Sequence, residues 1–159
     1  MSLANAAEVV VRDKDGQPII GRDANSKIDL YGREQVTFTP VLGGAGGTSG
    51  QTYSLQSGRI CRVGGLVFWS VAIVLTAKGT ITGNVEIQGL PYVPRQKSAG
   101  TVVALNLATT KVDVNATIEA ALAPIAVFGK AAAATSGTQL VTADIANNTE
   151  VYASGCFCE

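Results

Sequence analysis

Histidine is absent from this chain of 159 residues, methionine and tryptophan occur once each, and only 15% of the side chains are charged. The missing imidazole removes Ser-His-Asp and Cys-His nucleophile systems in one step, together with most zinc and copper sites. Cysteine is scarce too. Cys61, Cys156 and Cys158 cannot form a closed set of pairs, and Cys-Phe-Cys is a strained place for a disulfide. They are expected as reduced, mostly buried thiols. Neither sign of charge is in excess, with Lys plus Arg and Asp plus Glu at 12 each, so no basic field draws the chain onto nucleic acid. No apolar run reaches the roughly 20 residues of a membrane helix. The start, MSLANAAEVVVRDKDG, lacks the basic-then-apolar order of a secretory signal. Neither nucleic acid nor membrane is expected as a partner.

The motifs that could carry chemistry are weak. Asp13-x-Asp15-Gly16 begins like a calcium loop, but the glycine comes two places too early and no glutamate closes it, so a hairpin turn explains it. Gly43 to Gly50 has no Gly-Lys-Ser/Thr after it and reads as a flexible, solvated loop rather than a phosphate cradle. The acidic residues give no pair suited to glycoside hydrolysis. Trp69, Phe68, Tyr53, Tyr92 and Tyr152 could stack on sugar, although filling the core and a subunit contact accounts for them better. No catalytic residue, metal or cofactor is expected.

What the sequence does have is β-forming apolar residue and turn-forming glycine: 47% hydrophobic side chains and 18 Gly. Leu66 to Thr76, LVFWSVAIVLT, contains no charge, Gly or Pro and is rich in β-branched and aromatic residues, which suit a pleated buried surface. With a period of two, Val67, Trp69, Val71, Ile73 and Leu75 share one face, and Leu66, Phe68, Ser70, Ala72, Val74 and Thr76 share the other. Trp69, Val71 and Ile73 are the candidate core. The second face is also mostly apolar, so another layer or another subunit must cover it. Phe68 and Val74 are the candidate subunit contact.

Around this strand the chain reads as short strands between turns. Asp15-Gly16 joins Glu8–Val11 to Pro18–Ile20 as a hairpin, and Val36–Thr39 is a strand that Pro40 confines to an edge or an end. Tyr53–Gln56 and Arg59–Val63 follow, with Gly64-Gly65 turning into the long strand. Ala77–Gly83 is a connection, after which Val85 and Ile87 alternate with polar neighbours. Thr101–Leu107, Lys111–Ala116, Ile125–Phe128, Gln139–Thr142 and Thr149–Phe157 complete the series. Ala116–Ala123 has some helical composition but is taken as strand before Pro124. Charge is concentrated before residue 35, which divides the chain into an N-terminal arm, 1–35, and a domain, 36–159. Strands at this spacing with hardly any helix indicate an all-β fold, an antiparallel β-sandwich of jelly-roll type.

Three landmarks in order carry a resemblance. The stretch from Tyr53 to Phe68 runs YSLQSGRICRVGGLVF; Val85 to Tyr92 runs VEIQGLPY; and Leu140–Ile145 precedes Val151–Phe157, VYASGCF. Together they resemble the β-sandwich module of tailed-bacteriophage structural proteins, over about residues 36–159. Ile60 and Cys156 depart from the family's usual residues. The resemblance implies a component of the virion exterior, made in the bacterial cytoplasm and commonly homotrimeric, found on capsid surfaces or at tail-fibre tips. The brevity of the chain favours a stand-alone capsid decoration, or cement, protein that binds the major capsid protein and stabilises the shell. The alternative is a tail-fibre tip that joins other tail proteins and recognises a host surface glycan or protein.

Overall fold

The computed structural model describes residues 11–159 apart from 13–14, 16–17, 23–27, 31–32, 123 and 133. Its strands are β1 (Val11–Arg12), β2 (Pro18–Arg22), β3 (Ile28–Leu30), β4 (Arg33–Phe38), β5 (Val41–Gly44), β6 (Gly47–Ser49), β7 (Thr52–Val63) and β8 (Leu66–Ala77). There follow β9 (Thr80–Thr82), β10 (Val85–Gln88), β11 (Ser98–Leu105), β12 (Asp113–Ile118), β13 (Ile125–Lys130), β14 (Thr138–Gln139) and β15 (Glu150–Cys158). A single 3-10 turn, Thr142–Asp144, interrupts the β structure among the described residues. Glu8–Val10, Gly16 and Ala123, which entered the expectations above, lie outside those residues.

The antiparallel all-β class expected from the strand-and-turn pattern is the one observed. One ten-stranded sheet, in the order β4-β7-β8-β15-β11-β12-β13-β10-β5 with β14 beside β13, curls into a half-barrel. β7 and β8 form its longest hairpin. Val63 pairs with Leu66, and between them Gly64 takes φ +60°, the left-handed conformation that a two-residue hairpin turn needs at its first position. The two short strands expected within Tyr53–Val63 are one, because Gly58 stays in register opposite Phe38, whose ring occupies the space a Cβ would need. The sheet also reaches back to Arg33, which pairs with Val63, while β1, β2 and β3 form a three-stranded sheet of their own.

Two connections expected as loops are strands. The glycine-rich Gly43–Gly50 is not a flexible tether: Gly44 pairs with Val85 in β10 and Gly47 with Thr82 in β9. Between them the amides of Ala45 and Gly46 donate to the carbonyls of Asn84 and Thr82. The glycines permit a close approach, since a Cβ on Gly44 would lie 2.2 Å from the Thr82 carbonyl oxygen. By the same pairing, Thr80–Thr82 within the expected Ala77–Gly83 connection becomes β9. The segment 116–123 is strand only to Ile118.

The core is a single cluster to which nearly every strand of the main sheet contributes. At its centre Trp69, 3% exposed, lies in register with Gly155 on β15, which in turn faces Gly100 on β11. A Cβ on either glycine would come within 2.8 Å of the indole. The ring therefore crosses two neighbouring strands on a floor without side chains. A second feature is polar. Asp144 is buried, and its carboxylate accepts hydrogen bonds from the Thr109 hydroxyl and the Val141 amide and pairs with Lys111 Nζ at 3.0 Å. Burial pushes its pKa up, but the hydrogen bonds and the ammonium outweigh burial and hold it below the ordinary 3.8.

Gly155→Val is expected to lower stability by about 1–3 kcal/mol in urea titration, the usual range for overpacking, whereas Ser154→Val on the opposite face should change it little. Asp144→Asn leaves the Lys111 ammonium buried without its counter-ion and should destabilise by about 3–5 kcal/mol. Because the folded pKa is depressed, the Asp144 contribution is complete above the unfolded value and is lost as pH falls through the folded one. Melting temperatures measured from neutral pH to below pH 3.8 should show an acid-dependent loss in the native protein that D144N lacks.

Candidate interaction face

The period-two alternation that aims Val67, Trp69, Val71, Ile73 and Leu75 into the core aims the other half of β8 outward, and its neighbours follow by register. Row by row, the outer face carries Val63, Leu66 and Cys158; then Cys61, Phe68 and Cys156. Arg59, Ser70, Ser154 and Thr101 come next, followed by Ser57, Ala72, Tyr152 and Val103. The last row is Leu55, Val74, Glu150 and Leu105. Six large apolar side chains on this face are exposed: Leu55, Val63, Phe68, Val103, Leu105 and Tyr152, at 36–51%.

Trp69, Val71 and Ile73 are buried, at 3%, 4% and 0% exposure. Phe68 is 45% exposed, and Val74 is half-buried on the same outer face. The cysteines differ from expectation. All three are free thiols, but Cys156 and Cys158 are exposed and Cys61 is half-buried. The cause is parity: Val151, Ala153 and Phe157 occupy the inward positions of β15, which turns the intervening residues outward. Sequence reasoning missed this extension of the face onto β15 and β11. The alternation of small and apolar residues in Glu150–Cys158 was the available signal.

Only two charges stand on these rows. Glu150 accepts hydrogen bonds from Asn106 Nδ2 at 3.2 Å and from the Tyr152 hydroxyl at 2.9 Å. That bond to the carboxylate, first among its causes, raises the Tyr152 pKa. Arg59 is exposed and has no partner among the described residues. Next to Phe68 lies a shallow open depression of about 560 Å³, bounded by Phe68, Cys156, Ser154 and Thr101 with Gly100 and Gly155 between them.

Other surfaces offer less. Arg62 is paired with Glu159 at 2.9 Å and Glu34 at 3.7 Å and lies over the Tyr92 ring, 5.8 Å from its centroid. Among the described residues the aromatic side chains do not assemble a sugar platform: Trp69 is buried, Tyr92 sits beside Arg62, and Phe68 and Tyr152 stand about 14 Å apart on the sheet by strand geometry. Among the described residues no three His, Cys, Asp or Glu side chains converge as metal ligands.

The two faces of β8 should respond differently to charge. Phe68→Asp is expected to keep native β content by circular dichroism, whereas Trp69→Asp should abolish the cooperative melt, because an unpaired charge in that core is strongly unfavourable.

No protein-family model matches the chain, and no curated protein sequence matches it. Among solved structures, the Dettilon tailspike protein (gp208) is similar, with a TM-score of 0.61 and 16% identity. The likeness covers 78% of this chain but 23% of the tailspike, so the chain spans about a quarter of that protein's length. At this identity the shared feature is the fold.

Proposed function

We propose that the chain is a structural protein of a tailed-bacteriophage particle, displayed on the virion exterior, whose work is assembly and surface contact rather than catalysis. The likeness of most of the chain to a phage tailspike carries this reading. The outer face agrees with it, since it exposes six large apolar side chains on either side of a polar row, and exposed apolar patches mark interaction sites.

The reading supported best is a tail-borne module, joined to other tail proteins and contacting a glycan or protein of the host surface. A second reading, the cement protein bound to the major capsid protein, draws on one observation: β1, β2 and β3 form a sheet separate from the domain. Such an arm suits a tether to neighbouring shell subunits, and several arms on one oligomer would engage at high effective concentration. Both placements are compatible with the homotrimer implied by the family resemblance.

Deleting the gene from a phage that carries it separates them. A tail module predicts particles that withstand heat and osmotic shock but fail to adsorb, with excess purified protein competing for infection. Particles that adsorb normally but release DNA under mild stress would move the protein to the shell, because a ligand of the assembled shell stabilises it by mass action. Particles unaltered in both respects and free of the protein would overturn the reading.

A further inference from the structure

We propose that the outer face of β7, β8, β15 and β11 is the contact between copies of this chain, with Arg59 of one copy meeting Glu150 of the next. This deepens the reading above, on which its biological setting rests, by naming the occupant of the face.

Two observations select a second copy over a different partner. The first is charge. The face carries one cation, Arg59, without a partner among the described residues, and one carboxylate, Glu150, each of whose oxygens takes a single donor there and can accept another. Within one copy the two are separated by two strands and four residues, about 16 Å by strand geometry, too far to pair. Symmetry-related copies bring a carboxylate to Arg59 and a cation to the remaining acceptor positions of Glu150. The second is shape. Phe68 projects beside a shallow open depression of about 560 Å³ that it helps to bound, so the same patch presents both a raised ring and a hollow. The contact also covers Cys156, which is exposed in the single chain and lines the depression beside Phe68.

The test is sedimentation of the full chain at micromolar concentration, with maleimide labelling of Cys156 as a second readout. The native protein should sediment as a closed oligomer in which Cys156 labels slowly. R59E and E150R should each weaken association by about tenfold or more, the scale of a close interfacial charge pair. The double variant R59E/E150R should recover most of that loss, which a merely structural role for either residue would not produce. Phe68→Asp should leave folded single chains whose Cys156 labels quickly. A folded monomer with freely reactive Cys156 overturns the proposal. So does an oligomer indifferent to Phe68→Asp, and a double variant as dissociated as the singles overturns the Arg59 to Glu150 contact. None of these measurements involves particles, so a protein that self-associates yet is absent from virions would reject the phage reading alone.

Discussion

The seat of Trp69 on Gly155 and Gly100 is the constraint from which the geometry of the central strands follows. An indole that lies across two neighbouring strands needs both to lack a Cβ beneath it, and the 2.8 Å clearances leave no room for even a methyl group. Burying the ring is worth about 4–6 kcal/mol, from 150–250 Å² at roughly 25 cal/mol per Å². That exceeds the penalty of about 1–3 kcal/mol for its Nε1–H, which is buried without an acceptor. With the ring fixed, the register of β8 against β15 and of β15 against β11 admits no one-residue slip, because a slip would set a side chain into the indole. The inner face thereby determines which residues line up outside.

The curl of the sheet has a separate origin. β4 and β5 stand at opposite ends of the hydrogen-bonded order, yet only Thr39 and Pro40 separate them in the chain. The two edges must therefore meet, and the sheet closes part of the way toward a barrel. Local contacts hold the seam: Gln56 Nε2 donates to the Pro40 carbonyl at 2.7 Å, and Gly89, at φ +96°, brings the end of β10 against the Thr39 carbonyl. Pro40, which has no amide to offer, lies in the junction between β4 and β5, outside the ladder. Edges brought together in this way are less open to pairing with foreign strands.

Much of this was legible because β8 states its pattern without interruption. Eleven residues free of charge, Gly and Pro give an unambiguous period of two, and the core side chains follow from it. Glycine was harder to read. In Gly43–Gly50 and at Gly58 the sequence shows only missing side chains, and the same composition serves a loose tether or a strand packed closely against another backbone. What decides is the neighbour that fills the space, Thr82 in one case and Phe38 in the other, and both are distant in sequence. The outer face was half legible for the same reason. Phe68 and Val74 could be placed on it from β8 alone, whereas Tyr152, Val103 and the thiols joined it only through long-range register.

The proposed contact through that face rests on a modest apolar contribution. Six side chains at 36–51% exposure, each worth about 1.5–3 kcal/mol on full burial, offer about 4–8 kcal/mol per copy. Two copies together offer about twice that, against an association cost of about 4–15 kcal/mol. The two quantities are of the same size, so apolar burial alone leaves the contact near balance. A single directed charge pair, or a raised ring set against a hollow, is then enough to decide whether copies associate and in which orientation. Arg59, Glu150 and Phe68 are the side chains on this face that can supply such a bias, which would let a surface so poor in charge specify the proposed partner.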